Sequence, residues 1–310
     1  MKSFTNSQLS LSKNMKFIMV VFIAFSLLTS SCSTSKSNYI IGGSGWNEIA
    51  LVDNQGNKLW SHQLEKEQEC NSVSQFSEGK LLYSFKQGAK LIDENHQTLW
   101  EYLCDKGLEV QSASLTDNEN ILLGICGNPA QILEFSAKGE KLVDISFKTG
   151  IKNPHAQFRK VNKTKNGNYL IPLLGKKSIF EIDTRGELVR EVQTESSVFS
   201  LVVLKSGNWL LSCGDTHKMI ELNPKSGEIV WELRENDIKG VPLRFVAEAK
   251  RLKNGNTIIC NWGGHAHDKT KTAQVFEIDA NKKLIWKIED YKNLGNVSTL
   301  DIVEGSRFTE

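Results

Sequence analysis

A six-bladed β-propeller, with four antiparallel strands per blade, is the fold this sequence predicts, and three observations predict it. An apolar–turn–apolar pattern recurs six times along the 310 residues. A second hairpin pattern precedes most of those copies, and the two chain ends supply complementary parts of the first unit.

The recurring segments are EIALVDNQGNKLWSHQL, AKLIDENHQTLWEYL, AQILEFSAKGEKLVDIS, KSIFEIDTRGELVREVQ, HKMIELNPKSGEIVWEL and AQVFEIDANKKLIWKIE. Each alternates apolar and polar residues on both sides of a polar turn, which is hairpin patterning. Asp and Asn bond their own backbone in such turns, and Gly accepts positive φ. The preceding pattern is clearest in FRKVNKTKNGNYLIPLL, SLVVLKSGNWLLSC and EAKRLKNGNTIICNW, with weaker copies in SQFSEGKLLYSF and ASLTDNENILLGI. Asn-Gly between alternating segments is a strong hairpin signal. Each unit therefore contains strands a, b, c and d, at the spacing of about 40 residues expected of propeller blades.

The first hairpin follows NYIIGGSG, a strand b with no strand a before it, and the chain ends in VSTLDIVEGSRFTE, a strand a with no strand b after it. Joining them completes the first blade and removes exposed sheet edges. A seven-bladed alternative would need a further hairpin. In strand d, Trp60, Trp100, Trp231 and Trp286 recur with the unit, which argues for packing between blades, and Leu142 and Val189 take the corresponding places in the two weaker copies.

Residues 1–31 read as a leader. Lys16 precedes the apolar run Phe17 to Leu28, and small residues lead to Cys32. As a helix that run spans about 18 Å, short of the ~30 Å hydrocarbon core. LLTSSC resembles a loose bacterial lipoprotein box with Cys32 as the lipidated residue, although Leu28 stands one position further from the cysteine than is commonest. An ordinary signal peptide is the alternative. Residues 32–38 then form a short linker and 39–310 the propeller. Cys70, Cys104, Cys126, Cys213 and Cys260 remain, an odd number that cannot be a complete internal disulfide framework. A net charge of +2, with the signs interspersed, gives no reason to expect nucleic acid as a partner. STSKSN after Cys32 carries no acidic cluster, which favours a periplasm-facing outer-membrane position in a bacterial envelope.

The segment IELNPKSGEIVWEL resembles the repeat of quinoprotein-type (PQQ-like) β-propellers. The resemblance covers nearly all of the mature chain and concerns blade architecture, so it implies fold rather than function. Such propellers include pyrroloquinoline quinone dehydrogenases, an eight-bladed outer-membrane assembly lipoprotein and arylsulfotransferase-like enzymes. This chain has no vicinal cysteine pair and is too short for eight blades. No motif demands pyrroloquinoline quinone.

With strand a innermost, the a–b and c–d turns share one face, and the b–c and d–a loops share the other. The first set is short and stereotyped. The second is long and different in every blade, and it holds His155, His217, His265 and His267 together with Trp46, Trp262, Asp215 and Asp268, while Arg244 begins a strand a. Variable loops on a rigid scaffold are where sites are built. This face is therefore the expected ligand face, around the mouth of the central channel.

Three chemistries are open there. His265 and His267 share one side of an extended chain and could hold a divalent metal if His155, His217 or Asp215 supplied a third ligand; two solvated loop histidines are the alternative. His155, Arg159 and His217 are candidates for acid–base or transfer chemistry, since His titrates near neutrality and Arg binds oxyanions such as sulfate or carboxylate. Trp46, Trp262, Arg244, Asn261 and His265 could bind a small polar ligand or glycan, or the tryptophans could pack loop on loop. P-loop and nucleophile-elbow motifs are missing. The expected roles are thus a small-ligand or carbohydrate binding module, an enzyme using channel-mouth histidines, or an envelope scaffold acting through protein partners.

Overall fold

In the computed structural model, which describes residues 37–76, 79–264 and 271–303, six four-stranded antiparallel sheets are present. The strands between Ser72 and Ile288 fill five blades in chain order. The first blade joins β24 (Thr299–Val303) to β1 (Asn38–Gly42), β2 (Glu48–Val52) and β3 (Lys58–Gln63). Five ladder positions, from Asn38–Val303 to Gly42–Thr299, close it. The predicted six blades and the stitched first blade are what the fold contains.

The turn chemistry repeats faithfully. Asp53 Oδ1 accepts the backbone N–H groups of Gln55 and Asn57 at 2.9 Å each, and Asp93, Asp183 and Asp279 do the same in their own blades. The Glu187 backbone N–H and then the Arg185 side chain hold the Asp183 carboxyl below its ordinary value.

Just beyond each of these turns the c–d ladder slips by one residue, at the equivalent place in all six blades. The slip corrects one sequence expectation. Opposite Glu134 and Glu181, the residues in register with the strand-d tryptophans are Val143 and Arg190, not Leu142 and Val189. Leu142 and Val189 are the unpaired residues of the bulge and point to solvent, 52% and 53% exposed. A bulge inserts one residue and turns its side chain away from the packed face.

A polar strut runs through four blades. The Asn that follows the a–b turn donates to a glutamate of strand c: Asn120 to Glu134 (2.9 Å), Asn168 to Glu181 (2.7 Å), Asn208 to Glu221 (2.8 Å) and Asn256 to Glu277 (2.6 Å). Leu51 and Leu91 take the glutamate's place in the first two blades. Elsewhere the blades pack through aliphatic and aromatic layers, with Ile40, Leu51, Ile171, Leu211 and Phe276 fully buried.

Strands a line the axis. They include β4 (Ser72–Phe76), β8 (Glu109–Leu115), β16 (Ser200–Val203), β20 (Phe245–Arg251) and β24. Lys160, just ahead of the fourth blade's strand a, reaches Glu248 of the sixth blade at 3.1 Å. Glu248 also accepts from Thr299 at 2.7 Å, and Lys250 pairs with Asp301 at 3.3 Å. The fourth and sixth blades are not neighbours, so the Lys160–Glu248 pair crosses the channel. Glu248 lies three residues beyond Phe245 on the same strand, in a stretch that carries a β-bulge. A buried ion pair therefore bridges the channel below its mouth, leaving a cup above it.

Candidate functional site

The cup opens on the face of b–c and d–a loops and has a volume of about 590 Å³, within the range of small-ligand sites. Its walls are unlike one another. One wall is aromatic: Phe199 meets Phe245 edge-on at 4.9 Å, and Phe245 meets Trp262 edge-on at 5.3 Å. Trp262 is fixed by its indole N–H, which donates to the Ser44 carbonyl at 3.1 Å. The rim carries the exposed acids Glu67, Glu69 and Asp215.

Arg159 forms the basic wall. Its guanidinium is largely enclosed, donates to the Phe158 carbonyl at 3.0 Å and lies over the Phe199 ring at 5.8 Å. Among the described residues it takes part in no ion pair. Burial weakens its hold on its proton, and the Coulombic pull of Cys126 and Glu109 opposes that effect without outweighing it. A guanidinium has five donors in a planar fork, and most of this fork is uncommitted to protein acceptors. A cation held this way is organised for an anion that comes from outside.

His155 is also in the cup. Its Nδ1–H donates to Glu109 Oε2 at 3.0 Å, which leaves Nε2 as the nitrogen available to a ligand. Glu109 is fixed in turn by Gln111 at 2.8 Å and Lys86 at 3.2 Å. Burial raises the Glu109 carboxyl, but the bonds from His155, Lys86 and Gln111 outweigh it and hold the group below its ordinary value.

The loop bearing His155 and Arg159 is clamped by Gln157, which is fully buried. Its side chain accepts from Gly127 N–H at 2.8 Å and donates to the carbonyls of Gly127 (2.8 Å) and Ile151 (2.9 Å). Asn153 caps the short 3₁₀ turn Pro154–Ala156 by accepting from the His155 N–H.

The remaining expected site residues lie elsewhere. Asn261 has no exposed surface; it accepts from the Arg244 N–H at 2.6 Å and donates to the Pro242 carbonyl at 3.1 Å. Arg244 pairs with Glu235 at 3.2 Å. His217 donates to the Arg244 carbonyl at 2.7 Å and borders a separate lateral groove with Trp231 and Arg234. Trp46 packs against Gly295 and the core between the first and sixth blades. Cys32, His265 and His267 lie outside the described residues. Among those residues, no group of three or more His, Cys, Asp or Glu is placed to hold a metal ion. Cys70, Cys104, Cys126, Cys213 and Cys260 are free thiols.

Sequence reasoning missed Glu109, Phe199, Phe245 and Gln157. Glu109 and Phe245 each begin a strand a, and Phe199 immediately precedes one. Asking which residue opens, or immediately precedes, each innermost strand would have found all three. Gln157 leaves no sequence signal, because its bonds go to backbone groups.

The fold and cup define a six-bladed propeller with a partly aromatic cavity on the axis. The family of Mal s 1 allergenic protein-like chains matches residues 37–283, and this chain belongs to it. A solved protein of unknown function from Bacteroides caccae is 40% identical, with a TM-score of 0.83, covering 87% of this chain and 100% of that one. Streptogramin B lyase is 14% identical with a TM-score of 0.57, covering 83% of this chain and 85% of its own. A catalytically inactive virginiamycin B lyase from Staphylococcus aureus with quinupristin is 12% identical, also at 0.57, covering 84% of this chain and 87% of its own. The lyases share the fold alone. No curated protein matches the chain.

Proposed function

We propose that this protein is a lipid-anchored envelope propeller that binds a small acidic sugar in its axial cup. One observation carries the reading: Arg159, a largely enclosed cation with no carboxylate partner among the described residues, lies beside an aromatic wall. The guanidinium fork suits a carboxylate or sulfate. The flat apolar face of a sugar ring suits Phe199 and Trp262, and the rim acids Glu67, Glu69 and Asp215 suit its hydroxyls. The anchor rests on the sequence leader ending at Cys32, and the missing acidic cluster after it favours the periplasmic side. The quinoprotein-like repeat bears on the blades and adds no cofactor.

The test is a thermal-shift panel of uronic acids, sulfated sugars, their neutral parents and aromatic carboxylates, run on wild type and Arg159→Met. Acidic sugars should raise the wild-type melting temperature. At 100 times the dissociation constant the stabilisation is about 2.7 kcal/mol. The variant should melt no lower than wild type but lose the response. Equal responses to neutral sugars, or an unchanged response in Arg159→Met, would sink the reading.

A second reading, an enzyme at the same site, draws on the Glu109–His155 pair. A carboxylate that fixes one imidazole nitrogen leaves the other as a proton acceptor. Turnover of a bound ligand that is lost in His155→Ala while binding persists would favour it.

A further inference from the structure

Two residues of the first and second blades depart from the repeat, and the fold brings them together. Four c–d turns place a glycine in the left-handed region: Gly56, Gly139, Gly186 and Gly227, with φ from 76° to 86°. Lys282 holds that place in the sixth blade at φ 64°, and His96 holds it in the second at φ 66°. In strand d, two residues beyond the tryptophan position, five blades carry Tyr102, Ile145, Val192, Leu233 and Ile288. The first blade carries His62 there instead.

The Nδ1 atoms of His62 and His96 lie 3.2 Å apart. The Tyr83 hydroxyl stands 3.4 Å from Nε2 of His62. Trp60 stacks on His96 at 5.1 Å and 14°, and its own indole N–H is tied to the Glu94 carbonyl at 3.0 Å. Stacking accounts for a side chain at position 96, much as Lys282 lies over Trp231 at 5.9 Å in the sixth blade. His62 is stacked too, on His96 at 5.4 Å and 21° and on Trp60 at 6.3 Å and 10°, but other blades pack an apolar or phenolic side chain at that place, so stacking alone does not require an imidazole there. A left-handed non-glycine residue is strained relative to the glycine the other turns use. Two imidazole nitrogens bound tetrahedrally to one zinc ion, each at about 2.0–2.1 Å, stand about 3.3 Å from each other.

We propose that His62 and His96 form a site for one divalent late first-row metal ion, binding Cu(II) more tightly than Zn(II), with water completing the coordination. Both rings bind through Nδ1, and the ring that carries its proton on Nδ1 holds it on Nε2 instead when the ion takes its place, so both bind as neutral imidazoles. The Tyr83 hydroxyl on the far nitrogen of His62 sets the ring's orientation. The preference for copper follows the Irving–Williams order. The site sits on an outer strand and a c–d turn, on the turn side of the blades, and is separate from the ligand cup.

The test is equilibrium copper and zinc binding to the full chain carrying His265→Ala and His267→Ala, which removes the loop pair as a competing ligand. The expected result is one equivalent of Cu(II), with electron paramagnetic resonance showing nitrogen coupling from two imidazoles. His96→Gly and His62→Leu should each weaken binding by more than about tenfold. His96→Gly restores the glycine of the repeat, so its melting temperature should equal or exceed the parent's, and its loss of metal cannot then be unfolding. The proposal is overturned if the parent binds no more tightly than the His62→Leu, His96→Gly double variant, or if each single variant keeps the parent's affinity.

Discussion

Replacing Gln157 by Ala tests how the cup's loop is held. The wild-type side chain makes three short bonds to the backbone groups of Gly127 and Ile151, in a place with no exposed surface. A net of about 0.5–1.5 kcal/mol for each of the three bonds gives a cost of about 1.5–4.5 kcal/mol. Gln157→Glu sharpens the test. It keeps an acceptor for Gly127 N–H but sets a carboxylate against two carbonyl oxygens, so at pH 7 it should be less stable than the Ala variant. Its carboxyl is raised in the folded state, so stability recovers as the pH falls and protonation restores a donor. Urea unfolding at constant m reads both effects as a shift in midpoint. An Ala variant within about 0.5 kcal/mol of wild type, the range of an ordinary surface change, would refute the clamp. So would a Glu variant more stable than the Ala variant at pH 7.

Two further outcomes follow from the titrating groups. Burial, then the charges of His96 and Lys90, push His62 from its ordinary 6.5 down to about 4. The depressed value means that stability is full above pH 6.5 and is lost as the pH falls toward 4. That shift is worth about 3 kcal/mol at full burial, and solvent screening of a partly exposed ring brings it to about 1–2 kcal/mol. His62→Leu should flatten this part of the pH–stability profile measured in chelator, and an unchanged profile would contradict the assignment. The thiols give the second outcome. Burial pushes Cys70, Cys126 and Cys213 up to about 12 and Cys260 well above its ordinary value, whereas Cys104 is partly exposed. With Cys32 replaced by Ser, native protein should therefore react with a thiol reagent at Cys104 and slowly elsewhere. Rapid modification of two or more thiols would show that the blades open.

Much of the architecture was legible because a propeller repeats its local chemistry. Asp53, Asp93, Asp183 and Asp279 each build the same turn from their own neighbours, and Asn-Gly marks the a–b turns within a few residues. The one-residue bulge in every c–d hairpin was not legible. It depends on where the ladder slips, and Leu142 reads as well as Val143 in an alternating pattern. The site was legible only as a face: loop length and composition pointed to the b–c and d–a side and to His155, Arg159 and Trp262.

The sequence by itself determined the six blades, the closure of the first by the C-terminal strand and the side on which the irregular loops gather. Those features come from contacts within about ten residues or from strand pairing imposed by alternation. Tertiary structure alone decided which of the unusual residues meet. Arg244 and Asn261 tie loops together, His217 faces a different groove, and Arg159 is set against Phe199 without an acid partner among the described residues. His62 and His96 meet across two blades, and Lys160 closes the channel on Glu248. Each of these pairings joins residues far apart in the chain, and their distances are fixed by how blades pack around an axis, which no local pattern encodes.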